Sequence, residues 1–308
     1  MGDYEAPRTP RGVRLRFTAL ALVPVLVSAV CITLSWTGAD RSDALGWLPV
    51  AALMTWLLWW RRSPPRHLLR GWIRCLLALA LAVSLIRAML FTDGSLWGFG
   101  LLISVAFCLA IVVVLTRNCR DHSDIPLVST PLLLPFAEGT WLVVQGGGTK
   151  SVNHHVVVPQ QRAALDLVRM RSDGTRARGV FPPEPGDYAA YGTVVVAPCD
   201  GVVLRAVDGL PDQAPLVPNP TRPPGNSVRI DTGREQVLLA HLVPGSVPVE
   251  AGQRVARGDV IGRVGNSGNT TEPHLHIHAE RDGVGVRLVF DGVDEPLLRG
   301  TRMRADAR

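Results

Sequence analysis

Gly265-Asn266-Ser267-Gly268-Asn269-Thr270-Thr271-Glu272-Pro273-His274-Leu275-His276-Ile277-His278 decides how the rest of the chain is read. Three histidines alternate there with Leu275 and Ile277. Alternate residues of a β-strand share a face, so His274, His276 and His278 are expected to point the same way. Imidazole is the commonest protein ligand of zinc and the usual general base near neutral pH. One strand can thus supply both a metal ligand and a proton-transfer group. Six of the eight histidines lie between residues 154 and 278, which argues for a single site.

Around that stretch, from Pro131 onward, short apolar runs are cut by Gly, Pro, Asn and Asp. Residues 141–144, 152–158, 163–168, 192–197, 201–207, 226–230, 236–241, 260–264 and 274–279 read as strands. Pro198-Cys199-Asp200-Gly201 reads as a hairpin turn. The stretch 210–224, with six prolines, reads as a surface loop. The expected fold of this part is all-β, an antiparallel sheet or sandwich.

The first 116 residues are of another kind. Residues 18–36, 45–60 and 97–115 carry no charge, and 71–91 carry only Arg74 and Arg87. A membrane span needs roughly 17–25 apolar residues. Four transmembrane helices are expected, 45–60 being the shortest, and the runs lack the polar face of a soluble helical domain. Seven of the eight tryptophans fall here, many near segment ends, as interfacial belts require. Arg87 is expected to snorkel to the interface.

Arg8, Arg11, Arg14 and Arg16 precede the first run, and the connection 61–70 holds four arginines. Asp40, Asp43 and Asp93 mark the other connections. The positive-inside rule puts the N-terminus and, after four spans, the C-terminal domain in the cytoplasm. The net charge of +6 is mostly arginine, and Lys150 is the only lysine. No basic stripe interleaved with aromatics is present, which argues against nucleic acid. The five cysteines show neither a disulfide framework nor a thiolate zinc pattern. A biotinyl- or lipoyl-type carrier is excluded, because Lys150 lies far from the hairpin turns where such a lysine must sit.

Several ordered pieces resemble the M23 family of zinc metallopeptidases, the lysostaphin and LytM type, over about residues 135–295. Residues 192–203 resemble its strand–turn–strand, and Gly225-Asn226-Ser227-Val228-Arg229-Ile230 its G-N-x-V-x-I strand. Leu239-Ala240-His241-Leu242 is similar to its Y-x-H-L segment, residues 249–265 to its glycine-punctuated run, and residues 265–276 to its G-N-S-G…P-H-L-H block. The resemblance implies His276 and Asp166 as zinc ligands and His241 and His274 as catalytic histidines. It departs at one place. The family's usual first ligand in H-x-G-x-D is here Arg162, which stays protonated and cannot ligate. Asn153-His154-His155 with Gln161-Arg162-Ala163-Ala164-Leu165-Asp166 resembles a variant, N-H-H…Q-R-Y-A-L-D. Strand pairing through Pro159-Gln160 is expected to bring one of these two histidines to Asp166; His155 is preferred, His154 the alternative. His278 holds a place often acidic in the family and is either a partner orienting a ligand ring or an exposed side chain.

The resemblance implies a membrane-anchored zinc metalloendopeptidase, with Zn2+ as cofactor, that cuts peptide bonds in peptidoglycan stems or cross-bridges. The alternative is an inactive LytM-like domain that binds peptidoglycan or regulates a partner hydrolase. The expected partners are peptidoglycan peptides and the lipid bilayer. The expected place is the cell membrane, multi-pass, with the peptidase domain extracytoplasmic in spite of the arginine count. The expected layout is an N-terminal tail at 1–16, the membrane region at 17–116, a linker at 117–130, the M23-like domain at 131–300 and a tail at 301–308.

Overall fold

The computed structural model describes residues 7–38, 40–60, 68, 71–90, 99–117 and 124–305. Most of the connection 61–70, Asp93, Trp97, Cys119 and Arg120 lie outside the described residues. The chain forms two compact units, Arg16–Asn118 and Met1–Leu15 with Cys119–Arg308.

The first unit is helical: α1 (Arg11–Thr37), α2 (Arg41–Gly46), α3 (Leu48–Trp59), α4 (Gly71–Leu90) and α5 (Phe99–Arg117). Among the described residues, two helices are long and apolar enough to cross a membrane, Arg11–Thr37 and Trp72–Leu90, where four spans were expected. The second expected span is split. Asp40 caps α2 by accepting from the Asp43 N–H, and a new helix starts with Pro49 in its first turn. The 12 residues of α3 reach only about 18 Å at 1.5 Å per residue, short of a bilayer core of roughly 30 Å. The apolar α5 is 19 residues long and begins next to residues outside the described ones. Arg87, expected to reach an interface, is engaged by α1. It donates to the Ser35 and Trp36 carbonyls, 3.2 Å each, where α1 ends with unsatisfied acceptors, and lies over the Trp36 ring.

The second unit is built on β1 (Gly139–Gln145), β2 (Leu165–Met170), β3 (Val194–Val196), β4 (Gly201–Val207), β5 (Asn226–Asp231), β6 (Gln236–Leu242), β7 (Arg254–Val255), β8 (Val260–Arg263), β9 (Leu275–Arg281), β10 (Val284–Val286) and β11 (Arg302–Ala305). The main antiparallel sheet runs β11-β1-β2-β9-β6-β5-β4-β7, with β10 on β9, and β3 pairs β8 in a small second sheet. Strand β11 lies inside the stretch read as a C-terminal tail, and pairs Met303 with Trp141. Ahead of α1, Thr9 is held within this unit: its N–H donates to the Pro183 carbonyl and its hydroxyl to that of Pro215.

Alternation sets the two faces of the central strands. Leu165 and Leu167 of β2, Leu275, Ile277 and Ala279 of β9, and Val237 and Leu239 of β6 are buried in one core with Trp141, Ile230 and Phe290. Each such side chain contributes roughly 1.5–3 kcal/mol on burial. The opposite face therefore receives Asp166, His276, His278 and Ala240. The register Asp166↔His276 and Ala240↔His276 lines three strands up on one row.

Two glycines are required where the turn 265–271 meets the start of β5. Gly268 has φ +83, and a Cβ there would stand 2.5 Å from Gly225 N and 2.6 Å from Pro223 O. Gly225, at φ +61, would meet the Ser267 backbone at 2.4 Å. Gly268→Ala is expected to cost about 3 kcal/mol, from positive φ and backbone overlap together. Gly174→Ala, at φ +76 with nothing within 4 Å, should cost about 1 kcal/mol. Hydrogen-exchange protection of β5 and β9 in the full chain measures the difference; equal losses would refute the close approach.

Candidate active site

Residues 152–158 are not the expected strand. His154–Val157 is a 3-10 turn, followed by a second at Pro159–Gln161. The Asn153 side chain accepts from the His155 N–H at 3.1 Å and donates to the Ala164 carbonyl at 3.2 Å. Such local side-chain bonds compete with strand pairing and here outweigh the β preference of Val156, Val157 and Val158. The two histidines thus do not face opposite ways. Their rings lie 3.9 Å apart, and His154, His155 and Asp166 each bring a ligand atom to within 4.8 Å of the others.

Asp166 stands at the centre. His155 Nε2 is 3.1 and 3.0 Å from its two oxygens, His276 Nδ1 is 2.9 Å from Oδ1, and His274 Nε2 is 3.5 Å from Oδ1. Burial pushes this carboxyl pKa up, but His155 and His274 beside it outweigh burial and hold it well below the usual carboxylate range. Arg162, four residues before Asp166, has a buried Nε with no hydrogen-bond partner among the described residues.

His241 arrives by a break in the strand. Regular alternation would send it into the core with Val237 and Leu239. The pairing of β5 with β6 instead jumps from Ser227↔Ala240 to Asn226↔Leu242, leaving His241 as a bulge residue at φ +68. A non-glycine residue at positive φ is strained, and bulges re-aim side chains. His241 turns to the Asp166 face, its ring 4.8 Å from His274 and 5.8 Å from His276. Its Nδ1 meets the Ser267 carbonyl at 2.8 Å, and His274 Nδ1 meets the Glu272 carbonyl at 2.7 Å. A carbonyl only accepts, so each Nδ1 carries a proton; the neutral His241 ring then keeps a lone pair on Nε2, whereas His274 Nε2 faces the Asp166 carboxylate at 3.5 Å. Burial, reinforced by His274 and His276, drives the His241 pKa far down; burial also lowers that of His274, but Asp166 raises it above the ordinary value.

His154, His155, His241 and His276 line a cleft of about 340 Å3 whose walls include Val157, Val158, Pro223, Pro224 and Leu238. The 210–224 segment is fastened beside it. Gln213, Leu216 and Asn219 N–H groups donate to the Asn266, Thr271 and Gly268 carbonyls. Asn226, buried, ties Leu210 to Leu242. These fasteners were not singled out in the sequence; the signal for them was the G-N opening of β5 and the asparagine after Gly265.

The comparisons with known proteins follow from this geometry. Residues 186–288 match the model of peptidase family M23. The matched M23 stretch contains His241, His274 and His276, while His154, His155 and Asp166 lie before it and join through the fold. Comparison with curated proteins gives no match. Among solved structures, a zinc-containing peptidase from Vibrio cholerae is similar at 17% identity, over 55% of this chain and 37% of that one, TM-score 0.28. The M23 metalloprotease pseudoalterin, from the deep sea, is similar at 16% over 52% and 76%, TM-score 0.33. Lysostaphin from Staphylococcus simulans is similar at 20% over 39% and 37%, TM-score 0.26. The chain thus spans little more than a third of two of these three proteins. Outside the matched M23 stretch, His154, His155 and Asp166 form a group of the donor type that binds a divalent metal, imidazole nitrogens and a carboxylate.

One carboxyl bonded to the turn after Gly265 reports on this packing. Asp212 accepts from Asn266 N–H at 2.7 Å and from the Tyr191 hydroxyl at 2.8 Å. Burial pushes its pKa up to about 6, against the pull of those bonds. A raised carboxyl pKa favours the protonated group in the fold, so its contribution to stability is full below 3.8 and is lost as pH rises through about 6. The stability of the native protein relative to Asp212→Asn should fall between about pH 4 and about pH 7. A flat difference in thermal midpoints over that window would contradict the assignment.

Proposed function

We propose that this chain is a membrane-anchored zinc endopeptidase acting on peptide bonds of peptidoglycan. The observation that carries the proposal is the convergence of His155 Nε2 and His276 Nδ1 on the Asp166 carboxylate, with His241 in the same cleft and His274 beside it. His155, Asp166 and His276 would hold the metal. A bound zinc supplies an activated water and polarises the scissile carbonyl. The Nε2 lone pair of His241 would take a proton from that water, and His274, held in its protonated form by Asp166, would donate to the developing oxyanion. The Ser267 carbonyl keeps the His241 ring in the tautomer this requires. The apolar walls at Val157, Val158, Pro223 and Pro224 would keep the peptide in the cleft.

The membrane helices Arg11–Thr37 and Trp72–Leu90 would anchor the domain. Wall hydrolysis places the domain outside the cytoplasm, against the arginine count, since long domains translocate regardless of flanking charge. Thr9 packs within the same unit as the M23 domain, so both ends should lie on one side. Reporter fusions at the N-terminus and the C-terminus are expected to be active only as extracytoplasmic reporters; cytoplasmic activity at both would remove mature wall as the substrate.

Full-length protein in detergent, loaded with zinc and incubated with purified cross-linked peptidoglycan, is expected to release peptides with new amino ends identifiable by mass spectrometry. His276→Ala should release none, and His241→Ala should lower the rate on the order of 10²–10⁴-fold. A folded, zinc-loaded native protein inert on several wall types would favour the second reading, a non-catalytic domain that binds peptidoglycan or regulates a partner hydrolase. Arg162 in the usual ligand place is the feature that speaks for it.

His155→Ala should weaken zinc binding by more than the roughly 10–100-fold typical of outer partners, and His154→Ala by less than about tenfold. Chelator competition measures both, and the reverse order would make His154 the ligand.

A further inference from the structure

We propose that His278 is a positioning residue that sets the tautomer of His276 needed to present Nδ1 to the metal. The inference rests on the zinc reading above. His278 is 2% exposed, and its Nδ1 lies 2.9 Å from His276 Nε2. The two residues are two apart on β9, so their rings stand on one face by the pleat alone, 5.1 Å between centroids. Both nitrogens of His276 are therefore engaged, Nδ1 by Asp166 and Nε2 by His278.

Those two contacts restrict where protons can be. Facing a carboxylate, which only accepts, His276 Nδ1 carries its proton, and Nε2 accepts from His278 Nδ1–H. A cation on Nδ1 needs the opposite tautomer, with the proton on Nε2 and His278 Nδ1 accepting. The change balances as a relay. The Nδ1 proton of His276 leaves to water in the cleft, the His278 Nδ1 proton crosses to His276 Nε2, and a proton from water replaces it at His278 Nε2, so each ring ends neutral with one proton. Only a residue able both to donate and to accept at that point serves both states. Imidazole does so without adding a second negative charge beside Asp166. On the same face, Glu280 is already engaged by Arg229, which also donates to Gln236. His278 is the neutral member between this ion pair and the ligand ring.

The test is zinc affinity of the detergent-solubilised full chain by chelator competition, which needs no turnover. His278→Leu, which cannot accept, is expected to bind zinc 10–100-fold more weakly, the usual loss for an outer partner. His278→Gln, whose side-chain carbonyl accepts, should restore affinity to within about tenfold of native. Native affinity in His278→Leu, or no rescue in a folded His278→Gln, overturns the proposal. A native chain that takes up no zinc overturns the metal reading and this proposal with it, whereas zinc uptake indifferent to His278 overturns this proposal alone. Nitrogen NMR of the zinc-loaded native protein, labelled at histidine, tests the same point without a substitution. The metal-bound ring should carry its proton on Nε2 and its hydrogen-bonded neighbour should have a bare Nδ1; a protonated Nδ1 on that neighbour refutes the relay.

Discussion

Asp166 is a 4%-exposed carboxylate, and an ion so buried costs several kcal/mol unless charges and hydrogen bonds answer it. His155, His274 and His276 answer it from the 3-10 turn, the segment before β9 and β9 itself. The surrounding structure is arranged so that they can. The pairing of β2 with β9 fixes Asp166 opposite His276, and a slip of one residue would send both side chains into the core. The apolar residues that alternate with them, Leu165, Leu167, Leu275 and Ile277, prevent that slip. The core and the site therefore specify each other.

The same constraint explains the strained parts. His241 belongs by position to the core face and reaches the cleft only through the bulge at φ +68. Its N–H donates to the Pro224 carbonyl and its own carbonyl accepts from Gly265 N–H, so the bulge is held from both sides. Gly225 and Gly268 let the two loops approach closely enough to supply those partners. Strain of this kind persists only where neighbouring structure over-determines it, and here it converges on one histidine. Arg176 adds a buried fastener, its Nε 2.5 Å from Glu272, the residue whose carbonyl fixes His274.

Much of this was legible in the sequence because period-2 alternation is a strong signal. The three histidines from 274 to 278, the apolar residues between them and the β texture after Pro131 all read correctly as an antiparallel β domain. The placement of Asp166 beside a histidine of the 154–155 pair was also legible, but not its geometry. Val156, Val157 and Val158 mimic a strand, and the turn depends on the Asn153 side chain reaching Ala164 eleven residues on. The bulge at His241 leaves no mark in local composition, since it follows from pairing with β5. In the helical unit, hydropathy counts apolar residues but not the break between α2 and α3, so 45–60 reads as a span where α3 has only 12 residues.

The central claim is that His155, Asp166 and His276 form one metal centre. Anomalous diffraction at the zinc absorption edge, from crystals of the zinc-loaded full chain, tests it most directly. The account predicts a single strong peak bounded by His155 Nε2, the Asp166 carboxylate and His276 Nδ1, with His278 still bonded to His276. A peak bounded by His154 and lacking His276, or no peak in this cleft, would contradict it.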